Sequence, residues 1–156
     1  MADKIEQEIE KLLQQGKEKK EIWRTLRDGD EPHKALFHLN NSSLPRDRKK
    51  FQVINLVLAV ILLFVTSKKL LTAFSFGALD LFLLLSLVVP VINIYVLREI
   101  LRFHRIGYKF LFILSILSLI QPENWHNQEL FLLGLMIGLS GYLFKEMFPG
   151  NEQVRL

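Results

Sequence analysis

The chain has 156 residues, half of them hydrophobic, with 20 Lys/Arg against 16 Asp/Glu and no cysteine. The missing cysteine excludes disulfides, thiol chemistry, Cys-ligated zinc and iron–sulfur clusters. The positive balance does not point to nucleic acid, because the excess Lys/Arg sit beside hydrophobic runs, where the positive-inside bias places them.

Charge is spread unevenly along the chain. Residues 1–50 carry 12 Lys/Arg and 10 Asp/Glu, whereas residues 51–156 carry 8 and 6. A water-soluble head therefore precedes a lipid-soluble remainder. In the head, Ile5, Ile9, Leu12 and Leu13 recur at i, i+4, i+7 and i+8, one face of a helix. Asp3 can cap its start and Gly16 its end. Ile22, Trp23 and Leu26 mark a second helix closing on Gly29. Asp30-Glu31-Pro32 opens a third, which carries Ala35, Leu36 and Leu39. Residues 1–40 are thus expected to form a cytosolic three-helix module around Trp23, Leu12, Ile22 and Leu36.

The stretch Gly29-Asp30-x-x-x-Lys34-Ala35-x-x-x-Leu39 resembles the third helix of ubiquitin-associated-type modules. The resemblance implies a three-helix fold. That family's hydrophobic loop after the first helix is replaced here by Lys17-Glu18-Lys19-Lys20, so its ligand binding does not carry over.

Residues 41–50 read as a basic juxtamembrane linker, polar and proline-ended, then basic at Arg46, Arg48, Lys49 and Lys50. Together with Arg98, Arg102 and Arg105, these are candidates for anionic lipid headgroups, each basic residue near the surface being worth ~1 kcal/mol. The alternative is a topology signal alone.

Four apolar runs follow, predicting spans at about 51–67, 77–98, 106–121 and 129–147 and a tail at 150–156. The longest, Leu70 to Leu97, exceeds the ~18 residues that cross a hydrocarbon core. Spans three and four are shorter, about fifteen apolar residues or ~22 Å. The first would serve as an uncleaved signal anchor. The expected fold class is all-α, a four-helix transmembrane bundle with the small N-terminal module. With both termini cytosolic, ten basic residues in the segments flanking the spans lie inside, and only Lys68 and Lys69 lie outside. Tyr95, Tyr108 and Tyr142 then mark the inner interface and Trp125 the outer. The expected setting is a bacterial cytoplasmic membrane.

Polar residues inside the spans are the candidate chemistry: Asn55, Asp80, Ser86, Pro90 and Asn93. Asp80 is either a proton or cation site or a helix-start residue near the outer surface. Ser86, Pro90 and Asn93 share a face that reads as a hinge or ion site, or as a packing kink. Asn55, Ala59, Leu62 and Thr66 share another, and antiparallel pairing of the first two spans predicts an Asn55–Asn93 contact. Gly134-x-x-x-Gly138-x-x-Gly141 forms a small-residue packing seam, which Ser115 and Ser118 are expected to face at equal depth.

Gly138-Leu139-Ser140-Gly141 has the shape of the rhomboid-type protease motif, but no predicted span holds a histidine to act as base. His33 and His38 are five apart, and His104 and His126 fall on opposite sides of the membrane. No catalytic residue, metal or cofactor is expected. The expected function is a non-enzymatic accessory or scaffold subunit. Its head would recruit a soluble partner, and its bundle would pack against itself or other membrane subunits. The alternative is a small oligomeric transporter or channel using Asp80 and the Ser86/Pro90/Asn93 face.

Overall fold

A computed structural model describes residues 3–75, 81–120 and 126–154, the side chains at 81 and 82 excepted. Asp80 and Trp125 lie outside the described residues. Among those described, seven α-helices form and no strand. They are α1 Lys4–Gln14, α2 Lys19–Leu26, α3 Pro32–Asn41, α4 Pro45–Ser75, α5 Leu81–Leu101, α6 Arg105–Ser118 and α7 Asn127–Met147. A 3-10 turn, Gly150–Glu152, is the last element of the described residues.

The head folds as its apolar spacing dictates, around a centre that keeps Ile22 but not the other expected residues. Ile9, Leu13, Ile22 and Leu39 are fully buried, whereas Trp23, Leu12 and Leu36 only pack against that core from its edge. The α1 terminus closes as expected on Gly16. Its φ of +84° lets the Gly16 and Lys17 amides donate back to the Leu13 and Leu12 carbonyls at 3.0 and 3.3 Å.

No linker separates head from bundle. Ser42 and Ser43 are buried, and α4 begins at Pro45, where a fixed φ and a missing N–H suit the first helical position. The basic stretch 46–50 lacks a breaker and simply becomes the first turns of α4. Nor does Lys68-Lys69 end the helix. At 31 residues α4 runs ~46 Å, well beyond a ~30 Å hydrocarbon core.

Helix α5 also overruns its expected end and finishes at Leu101. Phe103 turns the chain at φ +56°, and the Phe103 and His104 amides donate to the Ile100 and Glu99 carbonyls, both at 2.9 Å. This is the same closure as at Gly16, built on a phenylalanine. It drops α6 directly onto α5. A Cβ on Gly107 would lie 2.8 Å from the Ile100 nitrogen, so only glycine permits the approach.

The four long helices pack in a closed ring, α4 against α5 and α7, and α6 against the same two. Leu58, Leu62, Ile100, Tyr108, Leu111, Leu143 and Met147 form its core. Three helices, α4, α5 and α7, are long and apolar enough to cross a membrane. Helix α6 has 14 residues, ~21 Å, and falls short by itself.

Burial in this ring is inverted relative to a water-soluble bundle. Asn55, Thr66, Asn93, Ser115 and Ser140 point inward, while Val53, Val60, Phe64, Leu84, Val91, Ile113, Leu117 and Phe131 stand exposed. Tyr95 and Tyr142 are exposed near the head end, but Tyr108 is fully buried and forms no part of an interface belt.

Candidate functional site

The densest polar structure lies where the head meets the bundle. Sequence spacing did not single it out, because its head and bundle members lie more than ninety residues apart in the chain. Glu6 of α1 is mostly buried and faces both Arg102 and the Nε2 of His104, the latter at 3.3 Å. His104 Nδ1 lies 2.7 Å from Glu99 at the end of α5. Both ring nitrogens of a buried histidine thus face carboxylates, one from the head and one from the bundle.

Beside this knot, Arg48 grips both carboxylate oxygens of Glu10 and donates to the Ser43 hydroxyl and carbonyl. The bidentate fit fixes the angle between α1 and α4. Burial works against the Glu10 charge, but Arg48 outweighs it and holds the carboxyl below its ordinary range.

Asn41, at the end of α3, completes the joint. Its Oδ1 accepts from the Ile106 amide at 2.9 Å, so a head side chain caps the first turn of α6 in place of a local residue. Ser42 pairs with His104 across the same seam. On the other flank the C-terminal segment clips onto the head. The Asn40 amide donates to the Val154 carbonyl at 2.8 Å and accepts from the Val154 N–H at 2.9 Å. The Val154 side chain joins Ile9, Leu13, Ile22 and Leu39. Val154 is therefore part of the head's core, and residues 150–154 are not a free tail.

Lys19 is trapped in this flank at 5% exposure, with Nζ 5.8 Å from the Phe148 ring centre. Burial lowers its pKa to about 8, only partly offset by Glu152.

Of the lipid-headgroup candidates, Arg48, Arg102 and Arg46 are engaged by Glu10, Glu6 and Glu152. Arg105 lies over the Phe144 ring at 5.3 Å. Lys49, Lys50 and Arg98 remain exposed.

Inside the bundle, the inward face Asn55, Ala59, Leu62 and Thr66 is as expected, and all four are buried. The expected Asn55–Asn93 contact is not formed. Asn55 Nδ2 donates to the Ile100 carbonyl at 3.1 Å, and its Oδ1 accepts from the Tyr108 hydroxyl at 2.7 Å. Because α5 extends to Leu101, the α4–α5 register shifts, and Asn93 lies about two turns deeper. There it lines a cavity with Leu62, Ser115 and Met136. Pro90 is buried, whereas Ser86 is exposed and donates to its own helix at the Leu83 carbonyl, so these residues do not act as one face.

The glycine seam is also corrected. Helix α7 buries Leu133, Met136, Ser140, Leu143 and Met147, a 3–4 spacing. Gly134 and Gly138 have nothing within 4 Å of an added Cβ and face outward; Gly141 alone meets a neighbour, Phe112 at 3.2 Å. The expected depth match of α6 and α7 survives in that contact, but α7 is rotated. Ser115 and Ser118 accordingly face the cavity instead of the glycines.

Among the described residues no group of three or more His, Cys, Asp or Glu could hold a metal ion. No family model matches the chain, and no curated protein or solved structure is significantly similar to it.

Proposed function

We propose that this chain is a four-span integral membrane protein, both termini cytoplasmic, that works without catalysis as an accessory or scaffold subunit. It would hold a rigid cap at the membrane for a soluble partner. The observation that carries this is the joint. The head is tied to α4, α5, α6 and the C-terminal segment by Arg48–Glu10, Arg102–Glu6, Asn41 and Val154. A head held in this way presents a fixed surface to a partner and does not swing on a tether. Helix α2 offers exposed Lys20 and Arg24 on that surface, with Arg27 just past its end, interspersed with exposed Glu18, Glu21 and Asp28.

The inverted burial of the ring supports lipid on all sides, α6 included, since Phe110, Ile113, Ile116 and Leu117 are exposed. To span, α6 needs Leu119 and Ile120 as an extension, or a locally thinned bilayer. Exposed Lys49, Lys50, Arg98 and Lys109 at the head end support a cytoplasmic head.

The test is co-purification from mild detergent with the wild type and with a Lys20→Glu, Arg24→Glu, Arg27→Glu variant. The reading requires a stoichiometric soluble partner that the folded variant loses. A full-length protein that purifies alone from its native membrane contradicts it. The second reading, a small transporter or channel, draws on the bundle cavity lined by Asn93. Ser86, facing outward, contributes nothing to it.

A further inference from the structure

The ring of α4 to α7 frames a partly open pocket of about 180 Å³. Two polar side chains line it without partners. Asn93 is 8% exposed and makes no side-chain hydrogen bond among the described residues. Ser115 is 2% exposed, and its buried Oγ has no partner. That is unusual for a helical hydroxyl in this chain: Thr66, Ser118 and Ser140 all donate to carbonyls of their own helices. The remaining wall is largely apolar, with Leu62, Leu133 and Met136 prominent. At one end Lys68 and Glu129 pair across α4 and α7 at 3.1 Å, and Lys69 lines the pocket beside them.

We propose that this cavity is a binding site for a small uncharged amphiphile, an alcohol or phenol with one hydroxyl head on a single ring or a short chain. Its hydroxyl satisfies Asn93 and Ser115, and its apolar body lies against Leu62, Leu133 and Met136. Size sets the upper bound: a cavity of ~150 Å³ admits one benzene ring. A charged head is disfavoured beside Asn93 and Ser115, which supply no counter-ion, since a buried unpaired charge is far costlier than a buried hydroxyl; the charged residues of the lining, Lys68, Lys69 and Glu129, come from the other end of the pocket. The site stands whether or not its ligand is ever transported.

The test uses purified full-length protein in detergent, with benzyl alcohol as probe and toluene as the headless control. Thermal unfolding is followed against probe concentration for the wild type, Asn93→Leu and Ser115→Ala. Partitioning into the micelle is the same for all three proteins, so differences between them report the site. The expected result is a saturable rise in Tm with benzyl alcohol in the wild type, and an apparent affinity at least tenfold weaker in both variants. Toluene should show no such dependence on the variant. Without probe, Ser115→Ala is expected to be at least as stable as the wild type, which separates lost binding from lost fold if Asn93→Leu fails to assemble. Equal shifts in wild type and Ser115→Ala, or no saturable shift in the wild type, would overturn the proposal and leave the cavity to water or to nothing.

Discussion

The Tyr108 hydroxyl donates to the Asn55 side-chain oxygen at 2.7 Å, while the same amide's nitrogen donates to the Ile100 carbonyl at 3.1 Å. One asparagine thereby ties α4 to the last turn of α5 and the first turns of α6. All three residues are almost fully buried. Tyr108→Phe leaves the Asn55 oxygen without a partner and should cost about 1–2 kcal/mol. A double-mutant cycle of Tyr108→Phe with Asn55→Leu should show coupling of about 0.5–1.7 kcal/mol, within the range of hydrogen bonds between membrane helices. The cycle of Asn55→Leu with Asn93→Leu should be additive.

Glu6 and Glu10 separate the head's attachment from its fold. Both are largely outside the head's own apolar core, yet each holds an arginine of the bundle. Glu10→Gln should cost about 1–3 kcal/mol, the worth of hydrogen bonds to charged groups. The loss should appear as faster amide exchange in α1 with little change in α7. Because the Glu10 carboxyl titrates below its ordinary range, its contribution is fully present above about pH 4.5 and is lost as the pH falls through its folded value.

Lys19 gives the opposite pH signature. Its folded pKa is about 8 against an ordinary 10.5, so between these values the unfolded chain binds the extra proton. Stability should therefore rise with pH across that window, measured by denaturant unfolding in detergent. Lys19→Met should flatten the rise and stabilise the protein at pH 7 by about 1–3 kcal/mol.

Two glycines should behave oppositely. Gly107→Ala drives a Cβ into the backbone of α5 and should destabilise by about 1–3 kcal/mol. Gly138→Leu projects into open space and should leave the protein's unfolding within about 0.5 kcal/mol of wild type. Equal losses at both positions would restore the glycine seam to the interior.

The inward face of α4 was legible because three small or polar residues, Asn55, Ala59 and Thr66, share a helical face with Leu62 in an otherwise apolar run. The rotation of α7 was not. Between Leu130 and Phe144 only Ser140 and Tyr142 carry polar side chains, and lipid and protein interior are equally apolar, so periodicity cannot choose between faces. The Asn55 partner was missed through a helix end: a Schellman closure on Phe103, where glycine is the usual signal, lengthened α5 and moved the register. His104 and Glu6 were invisible for a simpler reason. They lie far apart in the chain, and neither sits in a motif; only the docked head brings them together.

The fixed attachment of head to bundle is the claim on which the functional reading depends, and the cysteine-free chain allows it to be measured directly. Spin labels at Thr25→Cys on α2 and Lys145→Cys on α7, both exposed positions, report the distance between cap and bundle by pulsed electron paramagnetic resonance. A rigid joint predicts one narrow distance distribution in the wild type that broadens in Glu6→Gln/Glu10→Gln. A broad distribution in the wild type, unchanged by those substitutions, would mean a tethered head and contradict the account.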